Sequence, residues 1–70
     1  MTRLEQERRR RAWTQTTLAY KARLTQGDIS EIETGRRVPG PKPMARLAKV
    51  LGLSADELLA EVTQEATNVR

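Results

Sequence analysis

Few side chains in this sequence could carry out covalent or metal chemistry. Among its 70 residues there is no histidine and no cysteine. The usual general base, the commonest metal ligand, thiolate metal sites and disulfide staples are therefore all missing. A hydrolytic or nucleophilic site would have to be built from carboxylates, lysines, hydroxyls and Tyr20, and no paired constellation of these is evident. They read as surface groups and helix caps. The expectation is a non-enzyme with no cofactor, no metal and no small-molecule substrate.

Polar side chains at helical spacing offer a different chemistry, that of recognition. With Gln26 at zero on a helical wheel, Ser30, Thr34, Gly27 and Glu31 fall at about 40°, 80°, 100° and 140°. This arc contains no apolar residue, and Ile29 and Ile32 lie opposite, at about 300° and 240°. Such an arc could meet the polar edges of a major groove, although any surface helix has a polar face. Asp28, at about 200°, suits a capping role better than an outward one.

Charge points the same way without choosing a partner. The net charge is +4, and residues 1–42 hold ten Lys/Arg against five Asp/Glu while residues 43–70 hold three against four. A basic half beside a near-neutral half fits one face for a polyanion and another for something else. Nucleic acid, an anionic membrane and an acidic protein all remain open on charge alone. No stretch is long and apolar enough for a membrane span, the basic N-terminus is not followed by an apolar signal core, and the first segment lacks the apolar face of a membrane-surface helix. A cytoplasmic protein without a membrane partner is expected.

The elements that would position these groups are short helices. Leu4–Arg11 is rich in helix formers, and a helix there spreads Arg8, Arg9, Arg10 and Arg11 about 100° apart. Thr14 can cap a second helix, Gln15–Ala22, with Leu18 and Ala19 inward. Thr25, with Asp28 in the capping-box position, opens a third from Gln26 to about Thr34, and Gly35 can end it. Pro39, Gly40 and Pro41 mark a loop. A fourth helix is predicted from near Pro43 to Leu51, with Met44, Leu47, Ala48 and Leu51 on one buried face and Gly52 closing it. Ser54-Ala55-Asp56-Glu57 is a full capping box for a fifth helix carrying Leu58, Leu59 and Val62. The fold class is all-α, a compact bundle of five short helices. Residues 1–62 form the domain, and 63–70 form a C-terminal tail, frayed or part of a dimer contact. Leu18, Ala19, Ala22, Leu24, Ile29 and Ile32, with small Ala19 where the second and third helices cross, fit a helix-turn-helix.

Trp13-Thr14-Gln15-Thr16-Thr17-Leu18-Ala19, followed by Ile29-Ser30-Glu31-Ile32-Glu33-Thr34-Gly35-Arg36-Arg37-Val38-Pro39, resembles the Cro/phage-repressor (Xre-like) family. Leu47-Ala48-Lys49-Val50-Leu51-Gly52-Leu53-Ser54 and Asp56-Glu57-Leu58-Leu59 resemble that family's fourth and fifth helices, so the likeness spans roughly residues 4–60. It implies a lambda-repressor-like DNA-binding domain whose recognition helix is 26–34. It places Gln26, Gly27 and Glu31 at base edges and Gln15, Thr25, Ser30, Thr34, Arg36 and Arg37 at the sugar-phosphate backbone. Gln15 would also brace the recognition helix, and Arg8 with Glu33 would form a partly buried ion pair, leaving the neighbouring arginines for solvent or phosphate. The chemistry is consistent: glutamine can bond adenine at N6 and N7, and a glutamate can accept from cytosine N4. Glu31 could equally face solvent or pair with an arginine.

Three departures stand out. Arg23 and Ala12 occupy positions where the family commonly has glycine, Glu7 replaces a commonly apolar residue, and the recognition helix is acidic (Asp28, Glu31, Glu33). The resulting expectation is a transcriptional regulator, a repressor, binding double-stranded DNA at a palindromic operator as a homodimer joined through the fifth helix and Leu59–Val69, in a bacterium or mobile element. The alternative is a protein-interaction module of the same fold, antitoxin-like or regulator-binding, for which the acidic helix is the motive.

Overall fold

A computed structural model describes residues 1–62. Five helices follow in order: α1 (Arg3–Arg10), α2 (Gln15–Ala22), α3 (Gln26–Glu33), α4 (Pro41–Leu51) and α5 (Ala55–Leu58). Four of their starts, all but that of α4, are set by hydroxyl caps. Thr2, Thr14, Thr25 and Ser54 each accept from a backbone N–H in the first turn they precede, satisfying donors that have no partner inside the helix. At Thr25 and Ser54 the bond is reciprocated, Asp28 and Glu57 accepting from the N–H of the capping residue.

The first four helices end in one way. A residue in the left-handed region closes each, and the amide after it donates to a carbonyl five residues back: Trp13 to Arg8 at 3.1 Å, Leu24 to Ala19 at 2.8 Å, Arg36 to Glu31 at 2.8 Å and Leu53 to Ala48 at 3.1 Å. Gly35 (φ 81°) and Gly52 (φ 68°) take that conformation without steric cost, whereas Ala12 and Arg23, both at φ 59°, carry a Cβ into it. Ala12 and Arg23 thus close the same kind of turn that Gly35 and Gly52 close.

The core is apolar and contributed by every helix: Leu4, Leu18, Ala19, Ala22, Ile29, Ile32, Leu47, Leu51 and Leu58 are buried. Trp13, Leu24, Met44, Ala48 and Leu59 lie half-buried against it. Ala19, next to no solvent, sits in the α2–α3 crossing, where small size lets the two backbones approach.

Two elements differ from the sequence expectation. The fourth helix begins at Pro41, two residues before Pro43, with extended Gly40 as its cap. Neither proline removes a needed donor, because amides of a helix's first turn have no intrahelical acceptor. The fifth helix is a single turn that stops at Leu58 and does not reach Val62. The chain instead runs antiparallel to the start of the sequence: Arg3 N–H donates to Ala60 O and Val62 N–H to Met1 O, both at 2.8 Å, around an isolated Thr2–Glu61 bridge. Val62, expected on the fifth helix, is half-buried there. The expected tail, 63–70, and most of the Leu59–Val69 dimer surface lie outside the described residues.

Candidate nucleic-acid interface

α3 is held from behind by a buried ion pair. The Arg8 guanidinium donates from Nε to Glu33 Oε2 at 2.6 Å and from Nη2 to Glu33 Oε1 at 3.1 Å, and its Nη1 reaches Trp13 O at 2.8 Å. Both side chains are nearly solvent-free, and the hydrogen bonds Arg8 donates to Glu33 raise its pKa above the ordinary value. A forked guanidinium opposite a carboxylate is the geometry in which burying two charges is best compensated.

A relay extends from this pair to the exposed end of α3. Gln15 Nε2 donates to Glu33 Oε1 at 2.9 Å, and Gln26 Nε2 donates to Gln15 Oε1 at 2.6 Å. Its polarity is fixed at one end. An ionised carboxylate can only accept, so Gln15 must turn its NH2 toward Glu33 and its carbonyl toward Gln26. Gln26 is then oriented as well, with one N–H committed and its second N–H and its carbonyl oxygen both unspent.

The remaining sequence-predicted residues fall around this point. Gln26, Gly27 and Thr34 are exposed, and Ser30 and Glu31 are half-exposed. A Cβ added at Gly27 would meet only Thr25 Oγ1 at 3.8 Å, so the fold does not demand glycine here, and its effect is to keep the outer surface low. Thr25 Oγ1 accepts from Asp28 N–H at 3.0 Å, which leaves its hydroxyl hydrogen available. The Thr34 hydroxyl faces back along its own helix, toward Ser30 O at 3.1 Å and Glu31 O at 3.2 Å, so its donor is already engaged. Arg36 is exposed, with no side-chain partner among the described residues.

The acidity of α3 is compensated from inside the fold. Glu33 faces Arg8. Asp28 accepts from Thr25 N–H at 3.0 Å, which lowers its pKa, with the Arg37 charge assisting. Glu31 takes Arg37, at 2.9 Å from Nε and 2.7 Å from Nη2, and Arg37 Nη1 stands 3.3 Å from Asp28 Oδ1. Sequence reasoning left Glu31 open to an arginine but placed Arg37 with the DNA backbone and did not name it as that partner. The signal for this pairing was present in Gly35: a left-handed residue there folds 36–37 back over the last turn of α3, and Arg37 N–H donates to Glu31 O at 3.2 Å.

The neighbouring arginines also pair with carboxylates, although Arg9 and Arg10 stay exposed to solvent. Arg9 pairs with Glu5 at 2.7 Å, while Arg10 and Arg11 converge on Glu7, with Arg3 beside them. The Arg10 and Arg11 hydrogen bonds hold the Glu7 carboxyl at a pKa of about 2. Arg11 also reaches Leu51 O at 3.0 Å, satisfying a carbonyl near the end of α4. Glu7 is therefore an ionic hub where an apolar residue was the family's common choice.

Compared with known families, residues 2–62 match the helix-turn-helix domain. The chain belongs to that family. The helix-turn-helix domain found here is of the Cro/phage-repressor (Xre-like) type, with α2 and α3 in close contact as its two defining helices. No curated protein and no solved structure matches the chain. Among the described residues no helix is long and apolar enough to cross a membrane.

Proposed function

We propose that this helix-turn-helix domain is a sequence-specific DNA-binding regulator, a repressor, that inserts α3 into the major groove and binds a palindromic operator as a homodimer. The observation that carries this reading is the Arg8–Glu33–Gln15–Gln26 relay, which ends at an exposed, oriented amide. The free N–H and carbonyl of Gln26 are the donor–acceptor pair that adenine N7 and N6 require. Orienting the amide before binding removes the entropy of choosing a rotamer in the groove.

Around Gln26, Gly27 permits close backbone approach, and Glu31 lies at the edge of the same arc. Gln15, Thr25, Ser30 and Arg36 flank it as candidates for the sugar-phosphate backbone, fixing register without carrying sequence information. Thr34 belongs to the same rim, as an acceptor toward water. A domain of this size touches few bases, and two copies on half-sites about one helical turn apart double the reading and the affinity. The cytoplasm of a bacterium, or of the host of a mobile element, is the proposed setting. The internal pairing of Asp28, Glu31 and Glu33 weakens the case for a docking surface for a basic protein partner.

The test is selection of bound duplexes from a random DNA pool at two salt concentrations, with sedimentation of the protein alone and on the selected duplex. An enriched palindrome whose affinity falls steeply with salt, bound by two copies, is the expected result. Absence of enrichment, or equal binding to all duplexes, overturns the sequence-specific reading. A single bound copy overturns the homodimer.

A further inference from the structure

Arg37 spends its guanidinium on its own domain. It meets Glu31 through both Nε and Nη2, and both bonds go to one oxygen, Oε1. Glu31 Oε2 has no hydrogen-bond partner among the described residues, although the side chain is 45% exposed. The backbone of Arg37 is itself fixed, its N–H bonded to Glu31 O behind left-handed Gly35. The third guanidinium nitrogen, Nη1, faces Asp28 Oδ1 at 3.3 Å, so one cation lies between the two outer carboxylates of α3.

Electrostatics gives this arrangement a purpose. A bare carboxylate brought into a groove walled by phosphates is repelled. A carboxylate with a guanidinium on one oxygen has much of its charge offset, even with Asp28 sharing the same cation, and still has lone pairs on the other oxygen. We infer that Arg37 is a specificity-determining positioning residue: it fixes Glu31 and offsets its charge so that Oε2 can accept a hydrogen bond from a cytosine amino group. The inference rests on the DNA-binding function proposed above. Cytosine is the base that fits, because its major-groove edge at that position is a donor alone. The amino group of adenine sits beside N7, an acceptor that would repel a carboxylate. Arg37 then acts on the base through Glu31 and is not a phosphate contact.

The test repeats the selection from a random duplex pool with the wild-type protein and with Glu31→Ala, Arg37→Ala, Arg37→Lys and the Glu31→Ala/Arg37→Ala pair. Arg37 is half-exposed and distant from the core, and far-UV circular dichroism checks that each variant is folded. The wild-type motif is expected to contain one cytosine per half-site whose preference falls about tenfold in Glu31→Ala. Arg37→Ala loses preference at the same position by a similar factor and leaves the other positions unchanged. The double variant is no worse than Glu31→Ala alone, and Arg37→Lys restores part of the preference, since an ammonium pairs with the carboxylate but lacks the fork. Uniform weakening on every duplex in Arg37→Ala, with the motif intact and the salt slope smaller by about one, identifies a phosphate contact and overturns the inference while the function stands. A wild-type motif with no position sensitive to Glu31→Ala overturns it as well. No enriched motif at all for the wild type overturns the function and the inference together.

Discussion

Replacing Arg23 by glycine should make the domain more stable, although nothing in the sequence of α2 is improved. Arg23 sits at φ 59° and ψ 44°. A residue with a Cβ loses about 1–2 kcal/mol in that conformation. Glycine loses nothing there, but it frees the unfolded chain and gives back about 0.4–1 kcal/mol. Near the middle of both ranges the net gain is about 0.5–1 kcal/mol. The Arg23 side chain is exposed and makes no hydrogen bond or ion pair among the described residues, so no contact is lost. The bond of Leu24 N–H to Ala19 O, which closes the turn, is backbone and survives. For 70 residues at about 2.1 cal/mol/K each, the unfolding entropy is about 0.15 kcal/mol/K, which converts the gain to about 3–7 °C in Tm. Thermal melts followed by far-UV circular dichroism measure it, with Arg23→Ala as the baseline because alanine loses the charge but keeps the Cβ. If Arg23→Gly melts at or below Arg23→Ala, the steric argument fails. Ala12→Gly, at the same φ in the same motif, should move in the same direction.

Three further outcomes are expected. Glu33→Ala leaves the Arg8 guanidinium buried without its partner and frees Gln15, costing about 3–5 kcal/mol and shifting the urea midpoint correspondingly. Thr25→Ala removes the cap of α3 and costs about 1 kcal/mol in the same assay. Glu7 has a pKa depressed from 4.5 to about 2 by its arginine partners. Its contribution to stability is complete above about pH 4.5 and is lost as the pH falls toward 2. Asp28 and Glu57, also lowered by their capping bonds, add to this acid lability. Melts across that window should show a steep decline that Glu7→Gln makes shallower.

What could be read in the sequence was whatever is local. α2 and α3 start where Thr14 and Thr25 announce them, both capping boxes form, and the apolar spacing of 44–51 becomes the inner face of α4. The start of α4 was misplaced because two prolines two residues apart both satisfy the rule for a first turn, and only the extended backbone at Gly40 decides between them. The length of α5 was misjudged because the capping box marks a beginning and carries no information about an end. That end is set by the pairing of 60–62 with 1–3, a contact between residues far apart in the chain. The same limit applies at the interface. The polar arc of α3 was visible from periodicity, whereas the Gln15–Gln26 bond and the Arg37 clamp depend on how two turns bring distant side chains together. Arg10 and Arg11, read as a run of charge, became partners of Glu7 only once a helix placed them one turn away.

The closure of the chain on itself also orders its synthesis. Met1 and Arg3 find their backbone partners in Val62 and Ala60, so residues 1–3 wait for partners about 60 positions later in the chain. At about 5–20 residues per second that interval is roughly 3–12 s. The hydroxyl caps, the crossing and the closing turns of α2–α3 lie within residues 14–36, and the later chain adds the bond from Arg46 to Ala22 O at the end of α2. The face that carries Gln26 can therefore be assembled while the strip that locks α1 in place is still being translated.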